Sequence, residues 1–187
     1  MTTPIELVER AQTEDADAFS LLVSLTTPAA RATARLILGS DGVADDVLQD
    51  VYVRAWRSLK QLRDPARFDA WLRRLVVNAC LNQRRSGRRL DAAIRRLRPR
   101  QEETPGPEAA VAMRDELERA LARLPVEQRA LLVLRYGADL SSDEVGKILS
   151  IPPAAVRGRI HRAVVRLRIE LDAETQQDGH GIAREAT

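Results

Sequence analysis

Ser141-Ser-Asp-Glu-Val-Gly-Lys-Ile-Leu-Ser-Ile-Pro-Pro-Ala-Ala-Val-Arg-Gly-Arg-Ile-His-Arg-Ala-Val-Val-Arg-Leu-Arg-Ile-Glu-Leu171 reads as a short helix, a tight turn and a longer helix. Ser141 and Glu144 spell a capping box, which fixes where the first helix starts. Val145, Ile148 and Leu149 face inward. Ser150, Ile151 and Pro152 turn the chain, and Pro153 suits the first turn of the next helix. Val156, Ile160, Val164, Leu167 and Leu171 then make one apolar stripe at spacings of three and four. From Arg157 to Arg168 the second helix carries five arginines and no acid. This is the layout of a helix-turn-helix whose second helix enters a DNA major groove. Arg157, Gly158, His161 and Arg162 lie off the stripe near the N-terminal half, the part that meets base edges. Arginine reads guanine through two parallel hydrogen bonds, worth ~1–3 kcal/mol of discrimination. Arg159, Arg166 and Arg168 suit phosphates or solvent. A solvated arginine face on a structural helix is the competing reading. The coincidence of cap, turn, stripe and arginines favours DNA. For His161 alone, a surface position without a base contact is an equal alternative.

The rest of the chain sets the bounds. At 187 residues it accommodates one or two small domains. One cysteine, Cys80, allows no internal disulfide, so a reducing cytoplasm is the expected compartment. The first ten residues have no signal-peptide core, and no apolar run approaches membrane-spanning length. The net charge is only +3, but it is segregated. Base gathers in Arg73 to Arg100 and Arg157 to Arg168, acid in Asp41 to Asp50 and Glu102 to Glu118. Separate blocks suggest separate partners. There is no Gly-rich phosphate loop, and no Cys/His spacing for zinc. No catalytic constellation, metal or cofactor is therefore expected. Cys80, inside a helix, reads as a small buried residue.

Periodicity is helical throughout, and the chain reads as all-α, with two small helical domains joined by a flexible linker. The first spans residues 1–97. Its helices are Ile5 to Gln12, Ala16 to Leu38 with Pro28 as a possible break and Gly39 as C-cap, Asp41 or Ser40 to Ser58, and Phe68 to Arg85. Leu59 to Arg67 reads as a loop. Residues 98–109 are Pro-rich and form the linker. The second domain spans 110–173, with helices at Ala110 to Arg123, Val126 to Tyr136, Ser141 to Leu149 and Pro153 to Leu171. Residues 174–187 read as a disordered tail, and no further regulatory domain is expected after Leu171.

Two faces of the first domain stand out. On the helix ending at Ser58, Val47, Val51, Ala55 and Trp56 point inward, and Asp46, Gln49, Asp50 and Arg54 share the opposite side. The bland account of that side is a solvated face with an Asp50–Arg54 pair worth a few tenths of a kcal/mol. On the next helix, Phe68, Trp71, Leu72, Leu75, Val76 and Ala79 form the buried face. Asn78 and Asn82 sit four apart beside Arg74 and Arg85. Asparagine is a poor helix-interior residue, so the pair invites a reason, either surface tolerance or hydrogen bonding to an extruded base. Five of the six aromatics lie in this domain. With Phe68 and Trp71 read as core, little stacking is left for a single strand, and one or two captured bases are expected. The arginines from Arg84 to Arg100 suit backbone tracking or a solvated tail.

These stretches resemble a known family. Leu121-Ala-Arg-Leu-Pro125, Gln128-Arg129, Leu134-Arg135-Tyr136, Leu140-Ser141, Glu144-Val145 and Val156-Arg-Gly-Arg-Ile-His-Arg-Ala163 are similar to region 4 of bacterial sigma factors. Ala44-Asp-Asp-Val-Leu-Gln-Asp-Val-Tyr-Val-Arg-Ala-Trp56 and Phe68-Asp-Ala-Trp-Leu-Arg-Arg-Leu-Val-Val-Asn78 resemble two helices of region 2. The order and length look like the extracytoplasmic-function (ECF) group, which keeps only these regions. The resemblance implies a non-enzymatic initiation factor that binds core RNA polymerase through its clamp helices and flap. It implies that region 4 reads the −35 element as duplex, through Arg157, Gly158, Arg159, His161, Arg162 and Arg166. Region 2 would capture the melted −10 strand with Leu62, Arg63, Asp64, Arg67, Arg74, Asn78, Asn82 and Arg85. Asp46, Gln49, Asp50 and Arg54 would dock on the polymerase. The linker, with acidic Glu102, Glu103 and Glu108, would thread toward the active centre, and an anti-sigma factor is an expected partner. Gly158 stands where the family commonly has a small polar residue, and Pro152-Pro153 stiffens the turn. Two other readings are a dimeric one-component regulator binding an operator, and a helical interaction protein that never reads promoters. The first of these would bind duplex DNA unaided and need no polymerase, and the second could bind polymerase without reading DNA.

Overall fold

Thr3 opens the first helix with a capping box beyond the expected start at Ile5. Its backbone N–H donates to Glu6 Oε2 at 3.1 Å, and the Glu6 N–H donates to Thr3 Oγ1 at 3.2 Å. The computed structural model describes residues 3–94 and 109–185, with side chains over 3–83 and 116–173. All the regular elements there are helical. They are α1 (Pro4–Gln12), α2 (Ala16–Leu38), α3 (Asp41–Ser58), α4 (Phe68–Ile94), α5 (Ala109–Arg123), α6 (Val126–Leu132), α7 (Ser142–Leu149) and α8 (Pro153–Glu185), with short 3-10 turns at Leu59–Gln61 and Pro65–Arg67. The chain divides into two units, Met1–Arg84 and Arg85–Thr187.

In the first unit α2 packs on both α1 and α3. Leu22, Ala34, Ile37, Val47, Val51 and Ala55 are buried between these helices, and Trp56 is half-buried with its ring 4.9 Å from that of Phe19. Thr26 and Thr27 hydroxyls meet the Tyr52 hydroxyl at 3.0 and 3.2 Å, tying α2 to α3. Arg31 adds an ion pair to Asp45 at 2.7 Å. Pro28 does not break α2. It lies on the exposed side, so the carbonyl it cannot bond faces water. Gly39 does end α2, at φ 73°, with its N–H on the Arg35 carbonyl at 2.7 Å. Ser40 is the N-cap of α3, though its hydroxyl makes no capping bond.

α4 buries Phe68, Leu72, Val76, Val77 and Cys80, while Trp71, Leu75 and Ala79 are half-buried. Burial pushes the Cys80 thiol up to about 12, which leaves it an inert core residue. The helix continues to Ile94, past the Arg85 at which periodicity ends. Arginine, alanine and leucine are good helix formers, and the lone Gly87 costs only ~1 kcal/mol. The side chains of Arg84, Arg85, Arg88 and Arg89 lie outside the described residues, as do residues 95–108, which hold most of the expected linker with Glu102, Glu103 and Glu108.

In the second unit α8 packs against α5, α6 and α7. Leu121, Leu124, Val126, Leu131, Leu134, Val145, Val156 and Ile160 form the core. The expected helix from Val126 to Tyr136 is regular only to Leu132 and then widens into a π-turn, Val133–Gly137. Arg129, on α6, is 1% exposed, and it is engaged by a partner, as a buried guanidinium must be. α8 runs to Glu185, whereas the sequence reading stops it at Leu171 and takes 174–187 as disordered. Ala173, Glu174, Gln176 and Gln177 all favour helix, and no proline follows to stop it.

Candidate nucleic-acid and protein-binding surfaces

The helix-turn-helix is set by backbone constraints. Ser141 N–H donates to Glu144 Oε2 at 2.8 Å, and Glu144 N–H returns to Ser141 Oγ at 3.3 Å, closing the expected capping box. α7 ends on Ser150, a non-glycine residue at φ 57°. Its N–H and that of Ile151 both point at the Gly146 carbonyl, Ile151 at 3.0 Å. Gly146 is the close approach that makes this possible. A Cβ there would stand 2.7 Å from the Ile151 carbonyl oxygen and 3.6 Å from Val156 Cγ2. Gly146 escapes the apolar periodicity of α7, but a glycine inside a capped apolar helix is itself a signal of backbone proximity. Pro153 then starts α8, and the Pro152 carbonyl accepts from Ala155 and Val156 at 2.9 and 3.2 Å.

The side chains that this turn presents are those the arginine pattern selected. Arg157, Gly158, Arg159, His161, Arg162 and Arg166 are all exposed, and Val156, Ile160 and Ala163 are buried beneath them. Arg157, Arg159 and Arg162 form no ion pair among the described residues. Arg166 differs. Glu170 lies 3.9 Å from it and 4.0 Å from Arg123, so its charge is partly offset. Arg157 and His161 also wall a shallow open cleft of about 280 Å³ with Arg135, Tyr136 and Ser142. Arg135 is anchored there, donating from Nη1 to the Leu140 carbonyl at 3.2 Å and lying 5.7 Å from the Tyr136 ring centre. Neither Arg135 nor Tyr136 is marked by the sequence as part of this surface.

In the first unit, Asp46, Gln49, Asp50 and Arg54 are exposed together on α3, as their spacing requires. The Asp50–Arg54 pair of the bland reading does not form among the described residues. Its worth of a few tenths of a kcal/mol does not outweigh the entropy of fixing an exposed arginine. Val53, half exposed, lies on the same face.

The loop between α3 and α4 is ordered by its own side chains. Asp64 Oδ1 accepts from the Ala66 N–H at 3.1 Å, and Asp64 Oδ2 meets Arg67 Nε at 3.2 Å. Asp64 therefore caps the Pro65–Arg67 turn, and Arg67 stands over it, 80% exposed. Leu62 is half-buried and Arg63 exposed. On α4 Arg74 and Asn82 are exposed and Asn78 is half-buried. Neither asparagine amide makes a hydrogen bond among the described residues, so both keep their donors and acceptors open. Arg85 lies outside the described side chains.

The profile of Sigma-70 region 2 matches residues 22–90, and that of Sigma-70 region 4 matches residues 114–167. The ECF RNA polymerase sigma factor SigM of Mycobacterium tuberculosis is 37% identical over 135 residues, covering 72% of this chain and 67% of SigM. The RNA polymerase sigma factor CnrH of Cupriavidus metallidurans is 31% identical over 182 residues, covering 91% of this chain and 95% of CnrH. The chain belongs to the ECF RNA polymerase sigma factors. The structure of CnrH in complex with the cytosolic domain of CnrY agrees in fold, with a TM-score of 0.62 at 30% identity over 91% of this chain and 97% of that one. Membership makes the chain a transcription initiation factor and not an enzyme. The α3 motif and the first turns of α4 lie in region 2, and the helix-turn-helix lies in region 4. No described helix is long and apolar enough to cross a membrane.

Proposed function

We propose that this ECF sigma factor docks core RNA polymerase with the α3 face, reads a −35 duplex with α8, and captures a melted −10 strand with loop 62–67 and α4. The observation that carries the −35 reading is the set of three arginines, Arg157, Arg159 and Arg162, exposed without acid partners among the described residues near the proline-started beginning of α8. Guanidinium groups so placed suit base edges and phosphates at once. The cleft walled by Arg135, Arg157 and His161 fits a backbone phosphate beside them. Glu170 makes Arg166 the weakest of the four arginine contacts.

Asp46, Gln49, Asp50 and Arg54 supply the polymerase contact, and Asn78 with the loop supplies the pocket for an extruded base. An anti-sigma factor is the expected protein partner, a reading supported by the solved complex of CnrH with the cytosolic domain of CnrY. The cytoplasm is the compartment where polymerase and promoter are met. The test is co-purification with core polymerase. Asp50→Arg should abolish it with helical content intact, and unchanged co-purification contradicts the docking assignment.

A further inference from the structure

The geometry points to Gln12 as a positioning residue that holds loop 62–67 for base selection, an inference that rests on the reading of that loop just proposed. Gln12 is the last residue of α1, and its side-chain amide crosses to the chain's entry into the loop. Nε2 donates to the Leu62 carbonyl at 2.7 Å and to the Leu59 carbonyl at 3.1 Å. Leu62 N–H itself donates to the Leu59 carbonyl at 3.0 Å. One nitrogen therefore pins both ends of the turn from which Arg63 and Asp64 emerge.

This tether acts where packing runs out. Leu59 is fully buried and needs no further anchor, whereas Leu62 is half-buried and the next two residues are exposed. Behind Gln12 the corner between α1 and α2 is itself fixed. Thr13 Oγ1 donates to the Arg10 carbonyl at 2.7 Å, and Arg10 closes on Asp15 at 2.7 Å. Between them Glu14 sits at φ 69°, a left-handed conformation that a non-glycine residue keeps only when its surroundings impose it. Glu14 then meets Lys60 Nζ at 2.6 Å, a second link from the same corner to the same turn. That pair is exposed and screened by water, so the partly buried Gln12 bonds are the stronger link. A side chain serving only packing at this helix end would not need two donors. A base-reading loop does need them, because selectivity demands side chains held to within about half an ångström.

The test uses the full chain bound to core polymerase. The probe is the non-template −10 oligonucleotide that wild-type holoenzyme selects from a random pool, paired with the same strand bearing one substituted base. Gln12→Met keeps the volume and removes the donors, and should lower the ratio of the two affinities by about threefold to tenfold, with core binding unchanged. Gln12→Lys restores an N–H donor and should recover most of that ratio. The ratio compares two probes on one sample, so a reduced folded fraction cancels from it. A wild-type ratio in Gln12→Met overturns the inference, as does a ratio that Gln12→Lys leaves equally low. Arg63→Ala and Arg67→Ala are measured beside them. If these lower the ratio and Gln12→Met does not, only the role of Gln12 fails. If they do not lower it, or if wild type selects no strand, the reading of the loop fails as well.

Discussion

In the second unit the outward arginines ride on a helix whose entry is fixed by the main chain, through Gly146 against Ile151, Ser150 in the left-handed region and two prolines. In the first unit, loop 62–67 is held by side chains reaching to backbone, Gln12 from α1 and Asp64 from within. The two constructions suit the two ligands proposed for them. A duplex offers a rigid groove, so a reader set by backbone geometry loses nothing by being stiff. A melted strand has to be taken base by base, and a loop tied by a few hydrogen bonds is adjustable by single substitutions. The second unit should therefore fail abruptly when altered, and the first by degrees.

The sharpest way to break that contrast is Gly146→Ala. In an open helix this change would add up to ~1 kcal/mol of stability. Here the new Cβ meets a backbone oxygen at 2.7 Å, and we expect a net loss of about 2–3 kcal/mol with collapse of −35 duplex binding. Thermal unfolding followed by circular dichroism checks it, and a rise in melting temperature contradicts it. Next in size is Arg157→Ala or Arg162→Ala, each expected to cost ~1–3 kcal/mol of discrimination between cognate and altered duplexes while leaving the fold unchanged. Arg166→Ala should relax sequence preference little and lower the salt slope by less than about 0.9, because Glu170 already offsets that charge. Titration of duplex binding at several salt concentrations separates the two kinds of arginine.

Smaller effects belong to the first unit. Asp64→Ala removes the cap of the Pro65–Arg67 turn and should cost about 1 kcal/mol, read as weaker binding of the −10 strand by holoenzyme with −35 duplex affinity unmoved. The smallest is a pH effect at Asp15. The Ala18 N–H, and then Arg10, hold its carboxyl below the ordinary aspartate range. A depressed folded-state value contributes stability at neutral pH that is lost as pH falls through it. Asp15→Asn keeps an N-cap but not the charge, so it should lower the melting temperature slightly at neutral pH and shallow its fall in acid. An identical acid limb in the two proteins would contradict this.

What the sequence made legible was whatever is encoded locally. The capping box at Ser141, the C-cap at Gly39 and the apolar stripe from Val156 each depend on residues within a turn or two, and each is present in the fold. The exposed set on α3 followed from spacing alone. Hidden were features that depend on distant chain or on the lack of a stop signal. Gln12 meets carbonyls 47 and 50 residues away, which no periodicity shows. α4 and α8 run long because helix-forming polar residues continue where the apolar pattern ends, and apolar pattern marks burial rather than helix. The cleft beside His161 needs the π-turn after α6 to bring Arg135 and Tyr136 to α8, and a widened turn has no clear sequence signature.

The most direct measurement is multi-round run-off transcription. Core RNA polymerase is supplied with the purified chain and a promoter library randomised at two separated elements. Start sites should appear only when the chain is present, from templates enriched at both elements, and should vanish for Asp50→Arg. Enrichment at the upstream element alone, or a start-site pattern identical with and without the chain, would contradict a protein that reads duplex with one unit and melted strand with the other.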